Sequence, residues 1–506
     1  MTTPVALDAY RWPPSTEELA ARAGLDPRDM IRFDGNVAPA PPPSARPAAL
    51  ARALADVNEY DRGRYEPLRR AIADLHGVGL DQIALGAGSD EFIVLLARIF
   101  AAGATVATVP AVSYSMYRYA AIMAGATMVD DPASADLVYV CRPNNPTGEL
   151  PDVPRVAGRL VIDEAYAQYA GVDALDRVSD GAIVLRTFSK AYGLAGARVG
   201  YCVATPDLIE VISSRQAPLA VSSISAALAL AALAAPPSLE GQIAERERLA
   251  REMTELGLAP LPSSTNFLYV PMADAASYVQ RLLPYGMVLR AYEGGLRVSV
   301  RDELDNDALI GALRTELRGE ALAPAYLHRR RATAETRLDV RLRVPGEGRV
   351  LVDTGEGFYD HMLTQLAFHA GMDLRLEGVG DPETGEHHMV EDTMRAFGAA
   401  LDEALGDRRG LARYGEARVP MDEALAHAVV DLSGRATAAL AIDPDPGMAA
   451  HAFESLVQTA RITLHVTATG SNAHHVAEAA FKAVGRAMAQ ALVRDGSVVR
   501  STKGSL

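Results

Sequence analysis

The chain predicts a mixed α/β protein built from two unlike domains, over residues 1–326 and 327–506. Three observations predict it. Short apolar runs alternate with helix-like stretches through the first part, as in a buried parallel sheet. That alternation stops in "RGEALAPAYL" (318–327), and a new strand set opens after the basic cluster His328–Arg331. In the last third, "GEHHMVEDT" (385–393) returns as "NAHHVAEAA" (472–480), with lone histidines upstream of each, so this domain reads as two repeated halves.

Composition sets the outer bounds. A chain of 506 residues that is 49% apolar has ample material for cores. A net charge of -15 argues against a nucleic-acid surface, although a local basic pocket can still bind phosphates. Cys141 and Cys202 fit neither a zinc spacing nor a disulfide framework. That suits a reducing cytoplasm, and the polar, Pro-containing start shows no signal-peptide pattern, so a cytoplasmic protein is expected. Residues 216–239, "QAPLAVSSISAALALAALAAPPSL", carry no charge over 24 positions. The length suits a membrane span. Pro218, three serines and the closing "AAPPS" favour a buried Ala/Leu helix instead, and no membrane is expected.

In the first domain, the runs Thr105–Pro110, Asp136–Pro143, Arg159–Tyr166 and Ala182–Ser189 read as strands. "DEFIVLLARIFAAG" (90–103) reads as a helix. Ligands of such sheets bind at the strands' carboxyl ends, and the chemistry-bearing residues cluster there. "GAGSDE" opens a helix at Ser89, Asp90 and Glu91. "RPNNPTGE" holds Asn145, and "VIDEAY" holds Asp163 and Tyr166. "TFSKAYGLAGARVGY" holds Lys190, with Arg198 eight residues on. A lysine after a strand, followed by Gly-rich chain and an arginine, suits a Schiff base with a phosphate anchor.

In this order the motifs resemble the fold-type-I pyridoxal-phosphate aminotransferases, and most closely the histidinol-phosphate aminotransferase branch, over roughly residues 30–318. The resemblance implies pyridoxal 5'-phosphate as cofactor and a dimer. It implies that Asp163 holds the proton of the pyridine nitrogen, that Asn145 and Tyr166 bond the phenolic oxygen, and that Tyr114 stacks on the ring. It further implies that the helix amides at Ser89, Asp90 and Glu91, with Ser189 and Arg198, bind the phosphate. Lys190 becomes the Schiff-base nucleophile and proton carrier. Tyr60 reaches the neighbouring subunit's cofactor phosphate, and Arg297, in "GGLRVSV", clamps the amino donor's carboxylate. The chain departs from the family in "GNVAP" around Asn36, in "RQAPLAVSS", and at Arg301, where glycine is usual.

In the second domain the doubled motif is itself informative. On a helix, His388 and Glu391 are i and i+3 and share a face, whereas His387 points about 100° away. One motif can therefore serve two ions, and the same holds for His474, His475 and Glu478. With His361 and His451, six histidines and two glutamates suffice for two ions, each with three imidazoles and one carboxylate. Such sites suit Mn²⁺, Fe²⁺ or Zn²⁺.

"RRRATAETRLDVRL", "GFYDHMLTQLAFH", "MDEALAHAVVDLSGR", "FKAVGRAMAQAL" and the terminal "STKG" together resemble imidazoleglycerol-phosphate dehydratase, from about residue 328 to the end. The resemblance implies an α+β domain of two repeated halves with left-handed β-α-β crossovers. It implies a large symmetric homo-oligomeric shell, sites formed between subunits, and Mn²⁺. Glu335 matches a proton-moving glutamate that is not a ligand, with Glu478 as a second candidate in the ligand sphere. Arg413, Arg435, Ser501 and Lys503 match phosphate and substrate contacts. His427 reads as structural, and the departures at Gly385 and Met389 fall outside the ligand set.

The ketone such a dehydratase makes is the one such an aminotransferase accepts. The expectation is a bifunctional histidine-biosynthesis enzyme acting on phosphorylated imidazoles, with glutamate as amino donor and aminotransferase dimers on a dehydratase shell. Two alternatives stay open at this point: an aminotransferase of other acceptor specificity, and a C-terminal domain that serves only assembly.

Overall fold

In the computed structural model the apolar runs of the first domain line up as one seven-stranded sheet. The structure describes residues 12–38, 42, 54, 57–61, 63, 65–322, 325–380, 386–494 and 496–500. The sheet comprises β1 (Ile83–Gly86), β2 (Thr105–Val109), β3 (Thr127–Met128), β4 (Leu137–Cys141), β5 (Arg159–Asp163), β6 (Ile183–Thr187) and β7 (Gly200–Val203). Its order is β1-β7-β6-β5-β4-β2-β3, with β7 antiparallel to both neighbours and the other pairs parallel. Strands β4 and β6 are buried at every position, as expected of a sheet covered on both faces. Helices α1 (Ser89–Phe100) and α2 (Ser115–Met123) pack against one face. A smaller antiparallel sheet follows, of β8 (Phe267–Pro271), β9 (Arg290–Tyr292) and β10 (Gly295–Ser299).

The uncharged run behaves differently from its expectation as a buried helix. Its helix, α3 (Ser223–Ala234), has 12 residues, of which only Ala229 and Ala232 are buried. Small alanines on every side leave no wide stripe to sink into the core, so most of the helix stays half-buried. Among the described residues no helix is long and apolar enough to cross a membrane.

Beneath the parallel strands lies a buried ion pair. Arg186 on β6 reaches Glu164, just past β5, at 2.7 Å, and the glutamate is fully buried. Burial pushes the Glu164 carboxyl up to about 7, against the pull of the guanidinium. Arg186→Met leaves that carboxylate without a partner, and we expect a loss of roughly 3–5 kcal/mol. Glu164 then folds protonated, so its folded-state pKa lies above its unfolded one. The deficit therefore grows as pH rises from 5 to 8; calorimetric melts of both proteins across that range check it.

The chain divides into Met1–Ala323 and Pro324–Leu506; the expected boundary fell at 326. The second unit holds two four-stranded sheets of identical order. The first half has β11 (Leu327–Ala332), β12 (Thr336–Arg343), β13 (Val350–Asp353) and β14 (Asp373–Gly380), arranged β11-β12-β14-β13. The second has β15 (Tyr414–Met421), β16 (Ala424–Asp431), β17 (Thr437–Asp443) and β18 (Thr463–Thr469), arranged β15-β16-β18-β17. In each half the last two strands in sequence pair parallel across a crossover helix: α4 (Gly357–His369) in the first and α6 (Ala449–Ala460) in the second. Each half ends on a long helix, α5 (Glu386–Leu405) or α7 (Ala473–Ala491).

The helices pair across the repeat: α4 packs on α7, and α5 on α6. A glycine sits at each crossing. A Cβ on Gly485 of α7 would lie 2.5 Å from the Leu366 carbonyl oxygen, and one on Gly398 of α5 would lie 2.7 Å from that of Leu456. The halves thus share one core, with Phe397, Phe453 and Phe481 buried in it.

Candidate functional sites

The carboxyl ends of β4, β5 and β6, with residues of β9 and β10, converge on one cavity of about 400 Å³ in the first unit. Asp163 closes β5 and is buried. Its carboxylate accepts from the Tyr117 hydroxyl at 2.8 Å and the Ala165 amide at 3.1 Å. Burial pushes it up to about 6. Both hydrogen-bond donors are neutral, so this buried carboxylate lacks a bonded cation, a place that a protonated pyridine nitrogen fits.

Lys190 follows β6. Its Nζ donates to the Asn36 carbonyl at 3.3 Å. Burial, then the positive charge of Arg297, lowers its pKa to about 8, within reach of the neutral amine a nucleophile needs. Tyr166 and Tyr114 are both held neutral, chiefly by burial. Asn145, Ser89, Asp90, Ser189 and Arg198 line the same cavity. Arg198 donates to Ser189 Oγ at 3.5 Å and pairs with Asp90 at 3.2 Å. Gly88, just before α1, has φ 84°, and a Cβ there would lie 2.7 Å from Arg198 Nη2. The bare backbone, the helix N-terminus and the arginine are the donor types that suit a phosphate.

Two of the residues named for this site do not send their side chains into the cavity. The side chain of Glu91 does not line it; its carboxylate accepts from the Ala87 amide at 2.5 Å and from Gln216 at 3.1 Å, closing the turn before α1. A short loop leaves Ala87 N–H without a strand partner, and the glutamate one helical turn on supplies it. Tyr60 is 78% exposed and does not line the cavity of its own chain.

Arg297, buried on β10, donates to Asn145 Oδ1 at 2.7 Å, to the Tyr292 hydroxyl at 2.9 Å and to the Asp34 carbonyl at 2.6 Å. The structure adds a residue that the sequence reading missed. Arg290 on β9 stands directly opposite Arg297 on β10 and lines the same cavity. It has no ionic partner among the described residues. Like charges facing across a strand pair are unfavourable, and an anion between them would relieve the repulsion. The seven-residue spacing across a tight turn, "RAYEGGLR", was the available signal.

In the second unit six of the eight expected ligands gather into two clusters. His361, His474 and Glu478 form one, and His451, His387 and Glu391 the other, each with donor atoms within 4.8 Å of one another. Each cluster takes its lone histidine from one repeat and its His/Glu pair from the other. In the first cluster His361 Nε2 and His474 Nε2 lie 3.4 and 3.3 Å from Glu478 Oε2. In the second, His387 Nε2 and His451 Nε2 lie 3.7 and 4.0 Å from Glu391 Oε2. His451 Nε2 is a buried nitrogen with no hydrogen-bond partner among the described residues. An orphaned imidazole nitrogen facing a carboxylate fits a cation.

The expected face sharing was off by one residue. Glu391 joins His387, at i-4, and not His388, at i-3. Side chains on a helix lean toward its N-terminus, so a long glutamate reaches back a full turn. His388 turns away to Glu335, 3.2 Å distant, and His475 turns likewise to Glu423 at 3.0 Å with Asp422 beside it. A third layer, also missed, follows the repeat: Arg395 holds Glu391 at 2.6 Å and Lys482 holds Glu478 at 2.7 Å.

The substrate contacts expected beyond the clusters are less gathered. Arg413 is engaged by both oxygens of Asp431, at 2.7 and 3.0 Å. Its other guanidinium nitrogen meets the Arg500 carbonyl. Arg435 is exposed after β16. Ser501, Lys503 and Gly385 lie outside the described residues. His427 bonds Glu416 across the strand pair at 2.8 Å.

Comparison with known proteins gives both sites a setting. The aminotransferase class I and II family model matches residues 28–313, and the imidazoleglycerol-phosphate dehydratase model matches residues 354–488. The imidazoleglycerol-phosphate dehydratase of Methanococcoides burtonii is 45% identical over 184 residues, covering 35% of this chain and 96% of the relative. That of Mycolicibacterium gilvum is 47% identical over 194 residues, with the same coverage. The crystal structure of histidinol-phosphate aminotransferase from Sinorhizobium meliloti, in complex with pyridoxal-5'-phosphate, aligns with a TM-score of 0.55 at 28% identity, covering 63% of this chain and 99% of that one. The chain therefore belongs to two families at once, aminotransferase class I and II and imidazoleglycerol-phosphate dehydratase, and is a bifunctional enzyme of histidine biosynthesis.

Proposed function

We propose that the two units catalyse consecutive steps: dehydration of imidazoleglycerol phosphate to imidazole-acetol phosphate, then transamination of that ketone by glutamate to histidinol phosphate. The observation that carries the proposal is the facing pair Arg290 and Arg297 in the lysine cavity of a chain that also holds the two histidine clusters. Glutamate carries two carboxylates, and the phosphorylated acceptor carries a phosphate. One cavity with two cationic anchors can take both in turn.

Pyridoxal phosphate, when bound, supplies an electron sink for the amino group's carbon. Around it, Asp163 would hold a proton on the ring nitrogen, while Asn145 and Tyr166 would bond the phenolic oxygen and Tyr114 would cover the ring. Ser189, Arg198 and the amides at the start of α1 would take the phosphate. Tyr60, exposed on its own chain, would serve a partner's cofactor phosphate in a dimer. Lys190 Nζ would move the proton between the two carbons that exchange it. Arg297 would hold the donor's α-carboxylate. Arg290 would hold the acceptor's phosphate. We expect Arg290→Ala to lower kcat/KM for the phosphorylated ketone by roughly 10–100-fold, the scale of a hydrogen bond to a charged group. An unphosphorylated 2-oxo acid should suffer much less, and steady-state kinetics with both acceptors checks it.

In the second unit, His361, His474 and Glu478, and His451, His387 and Glu391, would each hold a divalent ion such as Mn²⁺. The ions would supply Lewis acidity that favours the substrate ring as an imidazolate. His388 and His475 turn away from the two clusters and would complete sites of neighbouring copies in a symmetric shell. Glu335, beside His388 and exposed, would move the substrate's protons. Glu478 stands within a ligand set and is better suited to binding than to proton transfer. Arg413, Arg435, Ser501 and Lys503 would contact the phosphate-bearing end.

The test is one assay on purified protein supplied with imidazoleglycerol phosphate, glutamate, pyridoxal phosphate and Mn²⁺. Histidinol phosphate is the expected product. Its absence, with both cofactors shown to be bound, overturns the proposal.

A further inference from the structure

Asn36 sits where the chain departs from its family's pattern, and it is tied to more of the lysine cavity than any role so far assigns. It is 1% exposed. It also holds a left-handed backbone, φ 50°, unusual for a residue with a side chain. Such strain persists only when surrounding bonds enforce it. Here they do. The Asn36 amide donates to Ser299 Oγ at 2.8 Å, and Ser299 Oγ donates back to Asn36 Oδ1 at 2.8 Å. Ser299 ends β10, two residues after Arg297, and Arg297 holds Asp34, two residues before Asn36. The loop is thus clamped twice to the strand that carries the carboxylate arginine.

The clamp presents two groups inward. The Asn36 carbonyl oxygen accepts from Lys190 Nζ at 3.3 Å and from Asn266 Nδ2 at 3.2 Å. The Asn36 Nδ2 donates to the Tyr166 hydroxyl oxygen at 3.2 Å. A hydroxyl that accepts one bond keeps its own proton to give elsewhere. We propose that Asn36 is a positioning residue: it seats the Lys190 amine and commits the Tyr166 proton to the cofactor's phenolic oxygen. The inference rests on the reading above that Lys190 and Tyr166 face pyridoxal phosphate. Four charges bear on the lysine, those of Arg297, Asp90, Arg198 and Asp163, and Asn36→Asp adds one to them while conserving shape.

In Asn36→Asp an oxygen replaces Nδ2 and takes the Tyr166 proton, turning it from the phenolic oxygen. A phenolate deprived of its donor is more basic. The pH midpoint of the visible absorbance band of the full-length protein loaded with pyridoxal phosphate should then rise by roughly one to two pH units, the scale of a hydrogen bond to an ionised group. Asn36→Gly keeps the left-handed backbone, its N–H to Ser299 and the carbonyl for Lys190, and deletes the side-chain carboxamide with its bonds to Tyr166 and Ser299, so its midpoint should rise less. It carries the test if Asn36→Asp does not fold. Tyr166→Phe should raise the midpoint as well, and adding Asn36→Gly to it should change nothing further. A loaded variant, Asn36→Asp or Asn36→Gly, whose midpoint equals that of the unsubstituted protein overturns the proposal. A visible band missing from the unsubstituted protein, or retained by Lys190→Ala, would instead overturn the placement of the lysine.

Discussion

Lys190→Ala is expected to stop the reaction sequence at the ketone. The purified variant should convert imidazoleglycerol phosphate to imidazole-acetol phosphate at an unchanged rate and release it. A positioned proton carrier alone contributes about 10²–10⁴-fold, and in the proposed reading Lys190 would also anchor the cofactor, so transamination should fall by at least roughly 10⁴-fold. No neighbour can substitute, because the other cavity cations are arginines, which do not deprotonate in proteins. The lysine's depressed pKa adds a sign that can be measured. Its ammonium form dominates below a pKa of about 8, and only the neutral amine attacks an aldehyde. Cofactor uptake by the apo protein, followed by absorbance, should therefore speed up as pH rises through about 8. Product analysis by chromatography separates the stalled ketone from histidinol phosphate.

His451→Ala is expected to have the mirror effect, blocking formation of the ketone and leaving transamination of supplied ketone intact. The cluster it leaves has one imidazole and one carboxylate, His387 and Glu391. Loss of a group that merely orients a ligand costs roughly 10–100-fold in affinity or activity, so loss of a ligand should cost more than about 100-fold. Bound Mn²⁺ per chain, measured by atomic emission after gel filtration, should fall by half, because the cluster of His361, His474 and Glu478 keeps its donors. Loss of activity at full metal content would move His451 from metal binding to another role.

Much of this was legible in sequence, and the parts that were not share a cause. Lys190, Asp163 and Asn145 were found because a parallel sheet sends its ligand groups to the carboxyl ends of its strands, which apolar runs mark directly. The repeated histidines were found because the motif itself recurs in the sequence. Arg290 was missed because its meaning lies in the register of β9 on β10, which pairs it with Arg297. Asn36 was seen only as a departure, because its partners Ser299 and Tyr166 are more than a hundred residues away. The choice of His387 over His388 turned on how a glutamate side chain leans, a detail below the resolution of face counting.

The pairing of α4 with α7 and of α5 with α6 carries a consequence for assembly. A chain of half this unit's length would hold a lone histidine and a His/Glu pair, but never on packed helices of the same copy. It could assemble both clusters only by docking with its twin, and the glycines at 398 and 485 mark the same crossing made twice. The basic residue behind each carboxylate differs between the halves: an arginine at 395, a lysine at 482. In this chain the same crossing, made twice, carries two clusters with the same donor types and different basic neighbours, so a substitution in one leaves the other intact.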